Sequence, residues 1–391
     1  MTANAVIDPV PPAPRRQPPP GAAAVVQLIR ESWATVEPQT PEVAKLFYGM
    51  LFSLDPAIRD LFPANMQLQR SRLLRALVYF VQMLDRPEDL SPFLHQLGRD
   101  HRKFGVVARH YEAVGTALLA AIKHFLGAGW TPQVERAWAE GYTVMARTMQ
   151  EAAAADENPA WWHGTVVEHE RLSLDIAVVR VQPDHPVPYL AGQYLSIEVP
   201  QRPRLWRYLT PANAPREDGV MEFHVRAVPS GWVSRSIVGH SQIDDAWRIG
   251  SPLGRIAVDR EAGRDVLMVA GGTGVATMQA ILDDLAQWGE NPRVHLFYGG
   301  RVSDDLYALR NLQRLAASNP WLSVVPVLES EPGSGDVEHG RLADVVTRYG
   351  AWADRDVLVA GSPAMIRSTV SRMLVAGTPL DHIRYDPFTI D

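Results

Sequence analysis

The 391-residue chain is 46% apolar and 21% charged, carries a formal net charge of -6 and contains no cysteine. Such a length exceeds one ordinary hydrophobic core, so two or three domains are expected. The lack of cysteine excludes disulfides, iron–sulfur clusters and thiolate-ligated haem, and no basic stripe makes nucleic acid an expected partner.

In chain order, residues 1–21 are Pro-rich without the apolar run of a secretory signal, and read as a disordered tail. From Val25 to about Ala155 the apolar period is helical, with stripes such as Phe47, Tyr48, Leu51 and Phe52, and Leu73, Leu77, Phe80 and Leu84. Pro- or Gly-bearing breaks fall at "EPQTPE", "LDPAIRDLFPAN", "DRPEDLSP" and "GAGWTP". Near Asn158 the pattern turns to short β-rich runs, "GTVVEHE", "LDIAVVRV", "YLSIEV" and "MEFHVRAV", which predict an antiparallel barrel. From Asp265 strands and helices alternate, as in a parallel α/β sheet. The expected division is therefore a tail (1–21), an all-α domain (22–157), a β-barrel (158–262) and an α/β domain (263–391). No window approaches the length of a membrane span. The expected compartment is the cytoplasm, with no stable membrane association and a monomer as the expected state.

The helical region holds polar groups on apolar faces. His101 in "GRDHRKFG" follows Leu94 by seven residues and Leu97 by four, which places it on a core-facing side; His95 and His110 fit that side less well. A lone histidine there reads as a core residue bonded to a carbonyl. Here it is accompanied by Tyr48 and by Gln69, one turn before Leu73, on two further apolar faces. Three such groups need partners if buried. A haem pocket would satisfy all three, with His101 on the iron, Tyr48 and Gln69 bonding a diatomic ligand, and Phe62 against the porphyrin.

On these residues the helical region resembles a globin, and residues 23–391 as a whole resemble a flavohaemoglobin, with the three domains in that family's order. "LFYGMLFSLDPAIRDLF" matches the stretch carrying the distal tyrosine (Tyr48) and the haem-packing phenylalanine (Phe62). "QRSRLLRAL" places Gln69 and Leu73 at distal positions; "DHRKF" and "HYEAVG" carry the proximal His101 and Tyr111. The family's proximal glutamate falls on Ala153. Glu151 is the nearest carboxylate, about 200° away round a helix, and it reaches the imidazole only if the helix end frays.

The resemblance implies FAD in the barrel. Tyr194 stands in the Gly-Gln-Tyr strand, and Arg207 and Thr210 in "RYLT" fall where the family has Arg-x-Tyr-Ser/Thr. Leu209 stands at the tyrosine and Tyr208 beside it. "GWVS" (Gly231, Val233, Ser234) resembles the loop that meets the flavin diphosphate; by itself it is a turn into a helix. "VAGGTGVATM" resembles the nicotinamide turn, giving Gly271, Gly272, Thr273 and Gly274, with Thr277 at a customary proline. "VAGSPAM" gives Gly361 and Pro363, with Ala360 at a customary cysteine. "YDPF" places Phe388 at the flavin-shielding aromatic, or at an ordinary core anchor.

The implied activity is nitric oxide dioxygenation: NO is oxidised to nitrate with O2 and electrons from NAD(P)H, using FAD and haem b. The alternative is a gas- or redox-sensing, oxygen-binding globin with a slow reductase module, suggested by Ala153, Leu209, Thr277 and Ala360. A reductase serving a separate oxygenase is disfavoured, because no iron–sulfur relay can be built without cysteine. The choice between NADH and NADPH stays open: Arg301 in "YGGRVSDDLY" could meet a 2′-phosphate or simply be solvated.

Overall fold

The computed structural model describes residues 22–331 and 335–386. The tail 1–21 and Phe388 lie outside the described residues. The chain forms two compact units: one runs to Asp60 and includes Asn65–His101 and Val106–Ala155, and the other holds Leu61–Ala64, Arg102–Gly105 and everything from Asp156.

The first unit is all-α: α1 (Ala22–Val36), α2 (Thr40–Leu54), α3 (Gln67–Met83), α4 (Pro87–His101), α5 (Ala108–Leu126) and α6 (Pro132–Ala155). Its core is built from the predicted stripes, with Ile29, Leu51, Ile122 and Trp138 at most 1% exposed. Buried Trp138 donates its indole N–H to Ser32 Oγ at 2.9 Å. Glycine allows the closest helix crossings. A Cβ on Gly98 of α4 would lie 2.2 Å from the Met149 carbonyl oxygen of α6, and one on Gly115 of α5 would lie 2.5 Å from the Tyr142 ring. The expected break at "DRPEDLSP" is shorter than its prolines suggest. Pro87 opens α4 where its missing N–H costs little, and the helix continues through Pro92.

The second unit begins with an antiparallel sheet of β1 (Trp162–Arg171), β2 (Ile176–Pro183), β3 (Tyr194–Glu198), β4 (Arg207–Leu209), β5 (Met221–Arg226) and β6 (Ala246–Leu253), in the order β4-β3-β6-β1-β2-β5. Helix α7 (Trp232–His240) packs against it through Val233 and Ile237. A parallel sheet follows: β7 (Val266–Gly271), α8 (Val275–Ala286), β8 (Val294–Gly300), α9 (Leu309–Ser318), β9 (Leu322–Leu328), β10 (Glu338–His339), α10 (Leu342–Arg348), β11 (Asp356–Ala360), α11 (Pro363–Ala376) and β12 (Ile383–Tyr385), ordered β10-β9-β8-β7-β11-β12. The chain winds outward from β7 in both directions. The carboxyl end of β7 is therefore the topological switch point, where open α/β sheets bind ligands.

Candidate functional site

In the helical unit, Tyr48 is buried on α2, 4% exposed, and its hydroxyl donates to the Gln69 backbone oxygen at 3.4 Å. Burial pushes its phenol well above the ordinary tyrosine range, so it stays a protonated donor. Gln69 and Leu73 lie one turn apart on α3, both half-buried. His101 is the last residue of α4, and its Nδ1 lies 2.7 Å from the Leu97 carbonyl oxygen. A carbonyl only accepts, so Nδ1 carries the proton and the lone pair is on Nε2, the form of imidazole that ligates a metal. His95 is exposed, and the buried His110 spends its Nδ1 on the Val107 amide at 3.2 Å.

Tyr111, in the first turn of α5, is half-buried and raised in pKa by that burial; its carbonyl accepts from the Tyr142 hydroxyl. Glu151 does not come round: it points to solvent, 68% exposed, with Arg147 Nε 3.7 Å away. Ala153 offers no hydrogen-bonding side chain. Phe62 follows the 3-10 turn Pro56–Leu61 and is half-buried, in the short segment Leu61–Ala64 that groups with the second unit. The residues present fit haem: an imidazole protonated on Nδ1 at His101 for iron, and the buried Tyr48 hydroxyl and half-buried Gln69 amide for a small ligand.

In the second unit one cavity of about 830 Å³ gathers most of the expected cofactor residues. Arg207, Tyr208, Leu209 and Thr210 line it from the barrel. Gly271–Gly274, Thr277, Gly361 and Pro363 line it from the carboxyl ends of β7 and β11. Register divides β4 between two faces. Leu209 opposes Leu195 and packs on the barrel core, whereas Tyr208 opposes Ser196 on the other face. There the Tyr208 ring lies 4.9 Å from that of Tyr194, and the Lys103 ammonium sits over it and bonds Ser196 Oγ at 2.7 Å. Tyr208 is thus the aromatic side chain of this strand, and Leu209 serves the core. Gly231 opens α7 and lines a smaller recess of about 270 Å³. Ser234 Oγ accepts from the Val228 amide at 3.3 Å, and Val233 buries its side chain in the core, so only its amide is left to meet a ligand.

The glycine turn is required by backbone geometry. Gly272 has φ +53, and a Cβ on Gly274 would lie 2.4 Å from the Ala360 carbonyl oxygen. The turn therefore lies against β11 and leads into α8, whose first turn favours an anion. An arginine, the Tyr208 ring, a hydroxyl and this turn in one cavity fit a flavin beside a nicotinamide nucleotide. Arg301 stands on the rim, its side chain 73% exposed and 3.7 Å from Asp305. Residues not anticipated in this wall are His224, Arg226 and Asp305. For His224 and Arg226 the signal was present, polar residues at every second position of a strand otherwise apolar; Asp305, in the turn after β8, carried none.

Comparison with known families matches residues 45–149 to globins, 163–258 to the oxidoreductase FAD-binding domain and 268–371 to the oxidoreductase NAD-binding domain. The flavohaemoprotein of Bacillus subtilis (strain 168) is 24% identical over 390 residues, 93% of this chain and 96% of its own. The ferredoxin–NAD(P)+ reductase component of the naphthalene 1,2-dioxygenase system of Pseudomonas putida is 30% identical over 233 residues, 58% of this chain and 68% of its own. Among solved structures, the flavohaemoglobin of Malassezia yamatoensis with bound FAD and haem superposes with a TM-score of 0.79 at 21% identity, over 93% of this chain and 98% of its own. The FAD/NAD-binding domain of the nitric oxide dioxygenase of Vibrio cholerae O1 biovar El Tor does so at 0.51 and 22% identity, over 57% of this chain and 97% of its own.

Fold and site together define a globin joined to a ferredoxin-reductase-type module, an NAD(P)H-dependent oxidoreductase whose cofactors are haem, FAD and the nicotinamide nucleotide. The globin part implies a gas ligand such as O2. In its three domains, their order and nearly its whole length, the chain is similar to flavohaemoproteins. Among the described residues no helix is long and apolar enough to cross a membrane.

Proposed function

We propose that the chain oxidises nitric oxide to nitrate, consuming O2 and electrons from NAD(P)H, with FAD and haem as its bound redox groups. The observation that carries this reading is the shared cavity. It sets the flavin strand Arg207–Thr210 beside the nicotinamide turn Gly271–Gly274, in a chain that supplies its own haem-type ligand set in the other unit. When bound, flavin and haem supply hydride acceptance and one-electron chemistry. The chain's own residues do the rest. His101 Nε2 is the iron ligand, and the Leu97 carbonyl on Nδ1 raises its basicity. The Tyr48 hydroxyl, kept protonated by burial, would turn its one proton from the Gln69 carbonyl, 3.4 Å away, to a bound diatomic. Arg207 offers its charge to the flavin diphosphate, and the Gly272–Gly274 backbone approaches the nucleotide. The enzyme of Vibrio cholerae supports the choice of nitric oxide as substrate. The reading places the chain in the cytoplasm, where reduced nucleotide is made.

A second reading, an oxygen-binding globin with a slow reductase, is favoured by Glu151, which faces solvent beside Arg147. One experiment separates the two. The purified chain loaded with haem and FAD is given NO under O2, with NADH or NADPH. Nitrate should form at two per nucleotide, since each nitric oxide oxidised this way takes one electron and each nucleotide gives two. Nucleotide oxidation that ignores NO and yields no nitrate would favour the second reading.

A further inference from the structure

Strand β5 alternates strictly. Met221, Phe223 and Val225 are at most 2% exposed in the barrel core, and Glu222, His224 and Arg226 stand on the opposite face. On that face each side chain is engaged. Glu222 accepts from Arg180 Nε at 2.8 Å and lies 3.0 Å from His224 Nε2. The His224 contact, reinforced by Arg180, holds the Glu222 carboxyl down at about 2 against its burial. An ionised carboxylate only accepts, so Nε2 carries the proton and Nδ1 accepts from the Tyr307 hydroxyl, 3.0 Å away. Arg226 pairs with Asp305, and its Nε lies 3.4 Å from Asp175. Two residues of the barrel thus hold two residues of the turn after β8.

Asp305 faces both ways. One carboxylate oxygen meets Arg226; the other accepts the Arg301 amide at 2.8 Å and the Val302 amide at 3.4 Å. It packs on Gly300, where a Cβ would lie 2.6 Å from its own Cβ. Asp305 is only 6% exposed. Burial alone would raise its carboxyl, but the Arg301 amide and the Arg226 guanidinium outweigh it and keep the group ionised. Arg301 is a weaker counter-charge, at 3.7 Å on a mostly exposed side chain. The amides that Asp305 holds cap the carboxyl end of β8, beside the switch point, and Arg226, Arg301 and Asp305 line the same cavity as the glycine turn.

We propose that Arg226 is a positioning residue for the nicotinamide nucleotide. From the flavin barrel, and through Asp305, it holds the Arg301–Val302 turn in the shape that receives the nucleotide. The proposal rests on the reading of this cavity as the nucleotide site. A barrel side chain is thereby part of nucleotide binding without touching the nucleotide. Without Arg226, a buried carboxylate is left with two amides and a distant arginine, and it relaxes toward solvent, taking the turn with it.

The test is ADP-ribose binding to the FAD-loaded full chain by calorimetry, for wild type, R226Q, D305N and the double variant. Each single change should weaken binding about tenfold or more, as expected for loss of a charged buried hydrogen bond. The double variant should be no weaker than the worse single one by more than about threefold, because both remove one device. KM for the nucleotide should rise by the same factor, while kcat at saturation and FAD occupancy stay within about twofold. R226K, which keeps the charge, should recover most of the affinity. Wild-type affinity in R226Q, additive losses in the double variant (which would mean direct contact with the nucleotide), or failure of R226K to recover binding would overturn the proposal. A wild-type chain that does not bind ADP-ribose would overturn the nucleotide site itself, and this proposal with it.

Discussion

In the helical unit the candidate ligands are side chains aimed by backbone carbonyls: Leu97 fixes the tautomer of His101, and Gln69 fixes the Tyr48 hydroxyl. In the second unit the nucleotide half of the cavity is shaped by backbone itself, where Gly272 takes a left-handed φ and Gly274 leaves room for the Ala360 carbonyl. The first kind of site is tuned one side chain at a time, and a single substitution removes a named function. The second depends on backbone more than on side chains: at Ala360 it is the carbonyl that meets the turn. Its weak points are glycines and the ionic clamp from Arg226 to Asp305.

The largest expected effect breaks one region and spares the other. His101→Ala should abolish stable haem binding, seen as loss of the Soret band, while flavin content and nucleotide-driven ferricyanide reduction remain within about twofold of wild type, because the reductase cavity contains no residue of α4. Retention of a full Soret band would reassign the ligand.

The pH effect of one buried carboxyl should fall on the second unit. Asp386 is 5% exposed, and burial lifts its carboxyl from 3.8 to about 6, even though the Arg255 amide bonds it. The native state then holds a proton that the unfolded chain has already lost, so this group's contribution to stability falls as pH rises from about 4 to about 6. Asp386→Asn should remove that slope and stabilise the flavin-side thermal transition at neutral pH, by at most about 3 kcal/mol for a pKa raised that far. An unchanged slope in the variant would place the titration elsewhere.

Smaller again, Tyr48→Phe removes a buried donor without changing shape. Loss of one hydrogen bond to a bound diatomic, worth on the order of 1.5–3 kcal/mol, should speed O2 release about tenfold or more in stopped-flow. An unchanged off-rate would put Tyr48 outside the ligand pocket. The smallest effect sharpens the division within β4. Tyr208→Leu should weaken FAD binding by up to about tenfold, through loss of an aromatic contact. Leu209→Val should leave FAD affinity alone and lower barrel stability by about 1 kcal/mol, since it trims a side chain packed on the core. The reverse pattern would return the flavin contact to Leu209.

Much of this was legible in the sequence, for reasons that differ by region. The helical stripes and the apolar placing of His101, Tyr48 and Gln69 follow from a period of 3.6, and the same arithmetic placed Glu151 on the wrong side of α6, where its pairing with Arg147 now shows it. The strand-to-helix glycine turn was readable because φ and close approach constrain residue type. Strands β10 and β12 were not readable as strands, since two or three residues carry no alternation, and β4 was placed on a strand only through the resemblance of "RYLT". Pro92 read as part of a break because local chemistry says nothing of a helix held by packing on its other turns. The clamp of Arg226 on Asp305 joins residues 79 apart. Only the fold brings such partners together, and periodicity along one strand showed half of it.

The central claim is that one chain carries electrons from nucleotide to haem. The most direct measurement is anaerobic stopped-flow mixing of the FAD- and haem-loaded chain with NADH, and separately NADPH, under carbon monoxide. Flavin and Soret absorbance are followed together. The account predicts flavin bleaching, followed by formation of the carbon monoxide adduct in the same molecules, at a rate independent of protein concentration. Flavin that bleaches while the haem stays ferric, or haem reduction that needs an added electron carrier, would contradict it.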